Sequence, residues 1–200
     1  MSTFASFLTP SKRVPAGLSN IGRWVIGGML LLLDVSWGAG PSFAEVSIEV
    51  FYAPEDLPGE RLVHLYNQAT HSIYVAMYSL TFPPAVEALV LAKKRGVDVR
   101  VLTDRERADD PKQRMALDTL RLAGIPVRIN QHDALMHLKQ VVVDEDVNTS
   151  GSMNMTTSGH RYNDERLDVI TDRATTLRAK QKFLSMWNDH SRFHPWEHTP

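Results

Sequence analysis

Between Met136 and Met155 the chain reads H-L-K-Q-V-V-V-D-E-D-V-N-T-S-G-S-M-N, which sets His137, Lys139, Asp144, Gly151, Ser152 and Asn154 at the spacing H-x-K-x4-D-x6-G-S-x-N. Six defined positions at ~5% usage each, tried at roughly 200 starting points, coincide by chance about once in a few hundred thousand chains. The run from His137 to Val143 is mostly extended in pattern, and residues two apart on a strand face the same way, so His137 and Lys139 project side by side. A turn at Glu145 and Asp146 returns a second strand and sets Ser152 and Asn154 near the same spot. An imidazole, an ammonium, an amide and a hydroxyl then surround the place an anion would occupy. Such a set holds a nucleophile, a proton donor and fixed positive charge.

An isolated H-x-K triplet is more often a surface histidine beside a solvated lysine. The Gly-Ser-x-Asn group at its fixed distance reverses that balance. Together they resemble the HKD signature of the phospholipase D superfamily, whose members hydrolyse or transfer phosphodiesters through a phosphohistidine intermediate. The resemblance implies that His137 is nucleophile and proton donor, and that Lys139 and Asn154, with Ser152, hold the phosphate oxygens. Asn163-Asp164-Glu165, before the strand-like Leu167 to Ile170, resembles the family's N-x-E element. By that resemblance Glu165 accepts a hydrogen bond from the imidazole and sets its tautomer. Asp144 and Gly151 are expected behind the site, Asp144 holding the turn and nearby backbone. The chain departs from the common pattern at Glu145-Asp146, where a glycine would take positive φ more easily. Three carboxylates there are tolerable only if they face away from phosphate.

The resemblance implies metal-independent chemistry with no cofactor. The family normally brings two motifs to each site and this chain carries one, so a homodimer sharing its site across the twofold axis is implied. The nearest branch in look is the small, exported, single-motif bacterial endonuclease type, Nuc; the mitochondrial cardiolipin hydrolase branch looks less alike, because the cysteine-based zinc finger of some of its members is impossible in a chain without cysteine. Nucleic acid is the favoured substrate and phosphatidylcholine-type lipid the alternative. A non-catalytic phosphate-binding module is a third reading.

The order of elements predicts an α/β fold, a phospholipase D-like sheet covered by helices. Val46 to Ala53 reads as a strand, and Gly59 to Ala69 as a helix with Leu62, Leu65 and Tyr66 inward. Ser72 to Leu80 is a second strand; Pro84 opens a helix burying Val86, Leu89, Leu91 and Ala92, which stops near Gly96 before the strand Val97 to Thr103. Asp110 and Pro111 start another helix, Leu117 and Leu120 pack, Gly124 ends it, and Ile125 to Ile129 is the next strand. A last helix spans about Arg173 to His190, with Leu177, Phe183, Leu184 and Trp187 inward.

Residues 1–44 differ in kind. Lys12, Arg13 and Arg23 precede an apolar run from Trp24 to Leu33, followed by small residues at Ser42 and Ala44, so the segment reads as an export signal cleaved after Ala44. An uncleaved anchor is the alternative, though Asp34 leaves only about ten strongly apolar residues against the ~20 that span a bilayer. Residues 45–200 form one domain, exported to periplasm or medium. The leader holds three of 22 basic and one of 23 acidic residues, leaving 19 against 22 and a net charge of −3. A strongly basic nucleic-acid binder is excluded, so such a contact needs a local patch, for which Arg105, Arg107, Lys112 and Arg114 are candidates diluted by Asp109 and Asp110. His190, His194, Trp196 and His198 suggest a metal site only weakly, since no cysteine or carboxylate completes a set and chain termini tend to be loose.

Overall fold

The computed structural model describes residues 46–197; the leader or anchor segment and His198 lie outside them. The elements are β1 (Ser47–Ala53), α1 (Pro58–Gln68), β2 (Ser72–Met77), α2 (Pro83–Lys94), β3 (Asp98–Thr103), α3 (Arg105–Ala108), α4 (Pro111–Leu122), β4 (Val127–Asn130), β5 (Lys139–Val143), β6 (Val147–Gly151), α5 (Thr157–Arg161), β7 (Glu165–Thr171), α6 (Arg173–Asn188) and β8 (Phe193–Pro195). The strands form one mixed sheet in the order β1-β7-β6-β5-β2-β3-β4-β8. Only β2, β3 and β4 are mutually parallel, as their helical crossovers require.

Helices cover both faces. Leu62 and Tyr66 of α1, Leu89 of α2 and Leu117 and Leu120 of α4 pack on Ile73, Val75, Val101 and Val141. On the other face α6 lays Phe183 and Trp187 against Tyr74, Ala76, Leu102 and Val142. The central strand β2 is buried at every residue because both its faces are covered, which is why it reads as a continuous apolar run. Each large side chain so buried contributes about 1.5–3 kcal/mol. Helix α4 starts where the Asp110 carboxylate accepts the Lys112 and Gln113 N–H groups, and it stops at Gly124, whose φ is +76°.

Four expectations are corrected. Leu91 is 43% exposed, because the buried face of α2 runs through Ala85, Ala88, Leu89 and Ala92 and the helical period carries position 91 off it. Strand β2 ends at Met77, and Leu80 forms only an isolated bridge to Met155. The charged loop after β3 contains the short helix α3, capped by Asp104, whose carboxylate accepts the Glu106 and Arg107 N–H groups. The tail is not loose: β8 pairs antiparallel with β4 and buries Phe193, closing an edge that would leave β4 unpaired. Among the described residues no helix is long and apolar enough to cross a membrane.

Candidate active site

The pairing of β5 with β2 builds the first half of the site. Lys139 opens β5 opposite Met77, and the next N–H, that of Tyr78, donates to the Leu138 carbonyl at 2.9 Å. This clamp lays the Tyr78 ring against His137, with centroids 4.6 Å apart. Lys139 Nζ lies 3.3 Å from both Nδ1 and Nε2 of His137, donates to the His137 carbonyl at 3.1 Å and stands 5.2 Å from the Tyr78 centroid. Partial burial pushes the Lys139 ammonium below the ordinary lysine range, and the Glu165 carboxylate works against that shift.

The hairpin after β5 needs no glycine: Asp144 and Glu145 themselves take positive φ, 51° and 65°. Asp144 can do so because its carboxylate accepts the N–H groups of Thr70, His71 and Ser72 at 2.7 to 2.8 Å and the Thr70 hydroxyl at 3.0 Å. Glu145 pairs with Lys180 and Arg173. Both carboxylates sit at the opposite end of the five-residue strand from Lys139, about 13 Å away, and so face away from the site.

Strands β6 and β7 supply the other half. Gly151 has φ 141°, and a Cβ there would stand 2.1 Å from the Arg166 carbonyl oxygen, so the crossing of the two strands requires glycine. Just beyond it the Ser152 hydroxyl donates to Glu165 and accepts the Arg166 N–H at 3.1 Å. Asn163 Nδ2 donates to the other Glu165 oxygen at 3.3 Å. The expected bond from imidazole to Glu165 is absent: Ser152 and Asn163, adjacent on the same strand ends, satisfy the carboxylate first, and its tie to the centre is its charge near Lys139. Ser152 is thereby a support for Glu165 rather than a free donor. The segment carrying Asn154 lies beside the loop of Tyr78, since the Met155 N–H donates to Ser79 and the Met155 carbonyl accepts from Thr81 and Phe82. Asn154 Oδ1 is buried with no hydrogen-bond partner.

The sequence reading missed Tyr78, whose only local signal is its place one residue past a buried strand. It also treated the basic patch as one unit. Arg107 stands 6.0 Å over the Tyr78 ring and pairs with Asp110 at 3.4 Å, whereas Arg114 pairs with Asp109 and Arg105 shows only a backbone contact to Asn130. At the tail, His190 Nδ1 lies 3.2 Å from an Arg128 nitrogen and His194 Nδ1 3.0 Å from the Pro195 carbonyl. Among the described residues no three histidine or carboxylate groups converge as a metal site would need.

The family model described as the cardiolipin synthase, PLD-like domain matches residues 62–187, from within α1 to the last turn of α6. The chain belongs to the phospholipase D superfamily. The phospholipase D-like fold is also that of Nuc from Salmonella typhimurium, 28% identical, covering 77% of this chain and 100% of that one with a TM-score of 0.72. The mitochondrial cardiolipin hydrolase of Xenopus tropicalis is 33% identical over 131 residues, 65% of this chain and 61% of that protein. A phospholipase D of Rickettsia prowazekii is 32% identical over 127 residues, 63% of this chain and 58% of that protein. The chain thus spans about three fifths of these curated relatives. The likeness to the cardiolipin hydrolase branch lies in the phospholipase D-like domain, which the absence of cysteine among the described residues leaves untouched.

Proposed function

We propose that this phospholipase D-like chain is a metal-independent phosphodiesterase acting through a phosphohistidine, with nucleic acid as its substrate. The observation that carries the reading is the His137–Lys139 pair, a nucleophile and a cation held within 3.3 Å at the end of the sheet. A nitrogen of His137 attacks phosphorus as the bond to the leaving oxygen breaks, and that oxygen takes a proton from the His137 of a second copy. The same second histidine then removes a proton from water, whose oxygen attacks phosphorus and releases the imidazole. Lys139 and Asn154 hold the non-bridging oxygens as charge redistributes. Glu165, held by Ser152 and Asn163, keeps a negative charge beside Lys139.

A homodimer is part of this reading, because one chain supplies one histidine motif. Ile48, Val50 and Tyr52 of the edge strand β1 are 59%, 40% and 51% exposed, and Tyr52 lines a cleft of 450 Å³ that also holds Ser152 and Glu165. An apolar surface running into a half-site supports subunit contact there. Export of the domain accords with the leader read in residues 1–44.

The likeness to Nuc across that protein's full length favours nucleic acid, and the names of the cardiolipin hydrolase and phospholipase D relatives favour lipid as the second reading. Parallel assays of the purified protein on plasmid DNA, RNA, phosphatidylcholine and cardiolipin decide between them. Release of lipid headgroup with every nucleic acid left intact transfers the same residues and roles to a phospholipase.

A further inference from the structure

The chain is slightly acidic, yet the cations near His137 are not spread evenly. His137 lines a cleft of 150 Å³ on the α6 side, where Lys182 and Arg192 also stand. On the opposite face of the sheet a groove of 560 Å³ runs between the start of α4 and α5, and it contains Arg107 and Lys112. The two hollows share no lining residue; His137 lines one, Ser79 lines the other, and the ring of the intervening Tyr78 lies tilted against that of His137 at the end of the sheet. The Arg107 guanidinium carbon is 6.0 Å from the Tyr78 centroid, itself 4.6 Å from that of His137, so this cation lies within about 11 Å of the nucleophile, on the order of one to three nucleotide steps at ~3.4 Å of rise each.

Among the described residues Lys112, Lys182 and Arg192 form no salt bridge within 4 Å, though the charges of Lys112 and Arg192 act on Asp110 and Asp189, while Arg107 pairs at 3.4 Å with the groove-lining Asp110. Arg105 and Arg114 of the same stretch line neither hollow. Hydroxyls of Thr157 and Ser158 border the groove beside Lys112 and add hydrogen-bonding capacity without charge. Cations on both sides of a nucleophile suit a substrate that carries a phosphate on each side of the one attacked. A lipid with one phosphodiester, such as phosphatidylcholine, has no use for both.

Resting on the nuclease reading, we propose that Lys182 and Arg192 on one face and Arg107 and Lys112 on the other form a track across the sheet end that holds the phosphates flanking the scissile one on a nucleic-acid strand. Neutralising phosphates releases counterions, about 0.7 of a log unit of salt slope per contact on a single strand. The test uses full-length protein carrying His137→Asn, which prevents turnover, and a fluorescein-labelled single-stranded DNA of about 20 nucleotides, with affinity read by anisotropy across a salt series. Lys182→Gln with Arg192→Gln, and separately Arg107→Gln with Lys112→Gln, are each expected to lower the log–log salt slope by about 1.4 and to weaken low-salt binding at least tenfold. The distant pair Lys93→Gln with Lys94→Gln is expected to leave the slope in place. A slope that falls for only one side, for neither, or equally for the distant pair overturns the track. The nuclease reading is judged apart, by cleavage in protein with His137 intact: DNA cut normally with unchanged slopes sinks the track alone, and lipid cut with DNA spared sinks the reading.

Discussion

Lys139 Nζ is equidistant, at 3.3 Å, from the two ring nitrogens of His137, and the Tyr78 ring backs them both. An ammonium placed so is committed to neither nitrogen and can turn its protons to a phosphate oxygen without leaving the imidazole. Under the proposed mechanism His137→Asn is expected to abolish turnover, since the residue serves there as both nucleophile and acid. Lys139→Met is expected to cost about a thousandfold or more in kcat. More than a tenth of the wild-type rate in the His137 variant, measured on any phosphodiester the protein cleaves, rejects the mechanism.

The pH profile follows from Lys139. Only its charged form stabilises developing negative charge, and burial lowers its pKa, so the rate is expected to fall as pH rises through a value below that of an ordinary lysine. The Glu165 carboxylate raises that pKa, so Glu165→Gln should move the alkaline limb of kcat to lower pH. A limb that stays in place in the variant separates Glu165 from Lys139.

Activity is expected to survive excess chelator, and His194→Ala is expected to leave the rate within twofold of wild type. Loss of turnover on chelation, with recovery on adding a divalent ion, contradicts the imidazole mechanism.

Asp144 serves the hairpin rather than the phosphate. Burial pushes its pKa up, but the Ser72, Thr70 and His71 N–H groups outweigh that and hold it below the usual range. Asp144→Asn is expected to cost about 2 kcal/mol of stability at neutral pH, read by urea unfolding. Because the folded pKa is the depressed one, the carboxylate's contribution is present above its unfolded pKa and fades as pH falls through the folded value, so the gap between variant and wild type should narrow in acid. A constant gap rules out the charge as its origin.

At Gly151 an alanine meets both a positive φ and a carbonyl 2.1 Å away. Gly151→Ala is expected to lose about 2 kcal/mol or more and to reduce activity, because relief of the clash must shift β6 against β7, where Ser152 holds Glu165. Wild-type unfolding and rate in this variant leave Gly151 without the role given to it.

Much of this was legible in residue order. Spacing and the resemblance to the family signature put His137, Lys139, Ser152 and Asn154 forward as candidates, and Asp110, Pro111 and Gly124 marked helix ends by their own backbone chemistry. Leu91 could not be placed, since α2 is apolar on more than one side and only its neighbours decide which side is covered. Tyr78 became part of the site through the register of β2 with β5, a pairing of segments 60 residues apart. The partner of Glu165 was likewise decided by the tertiary fold: a motif names a carboxylate near a histidine, but the crossing of β6 and β7 at Gly151 puts Ser152 within its reach. Local backbone preferences act over a few residues and are written in order along the chain, whereas which donor a half-buried carboxylate meets depends on how distant strands are set against each other, and that is decided only when the sheet closes.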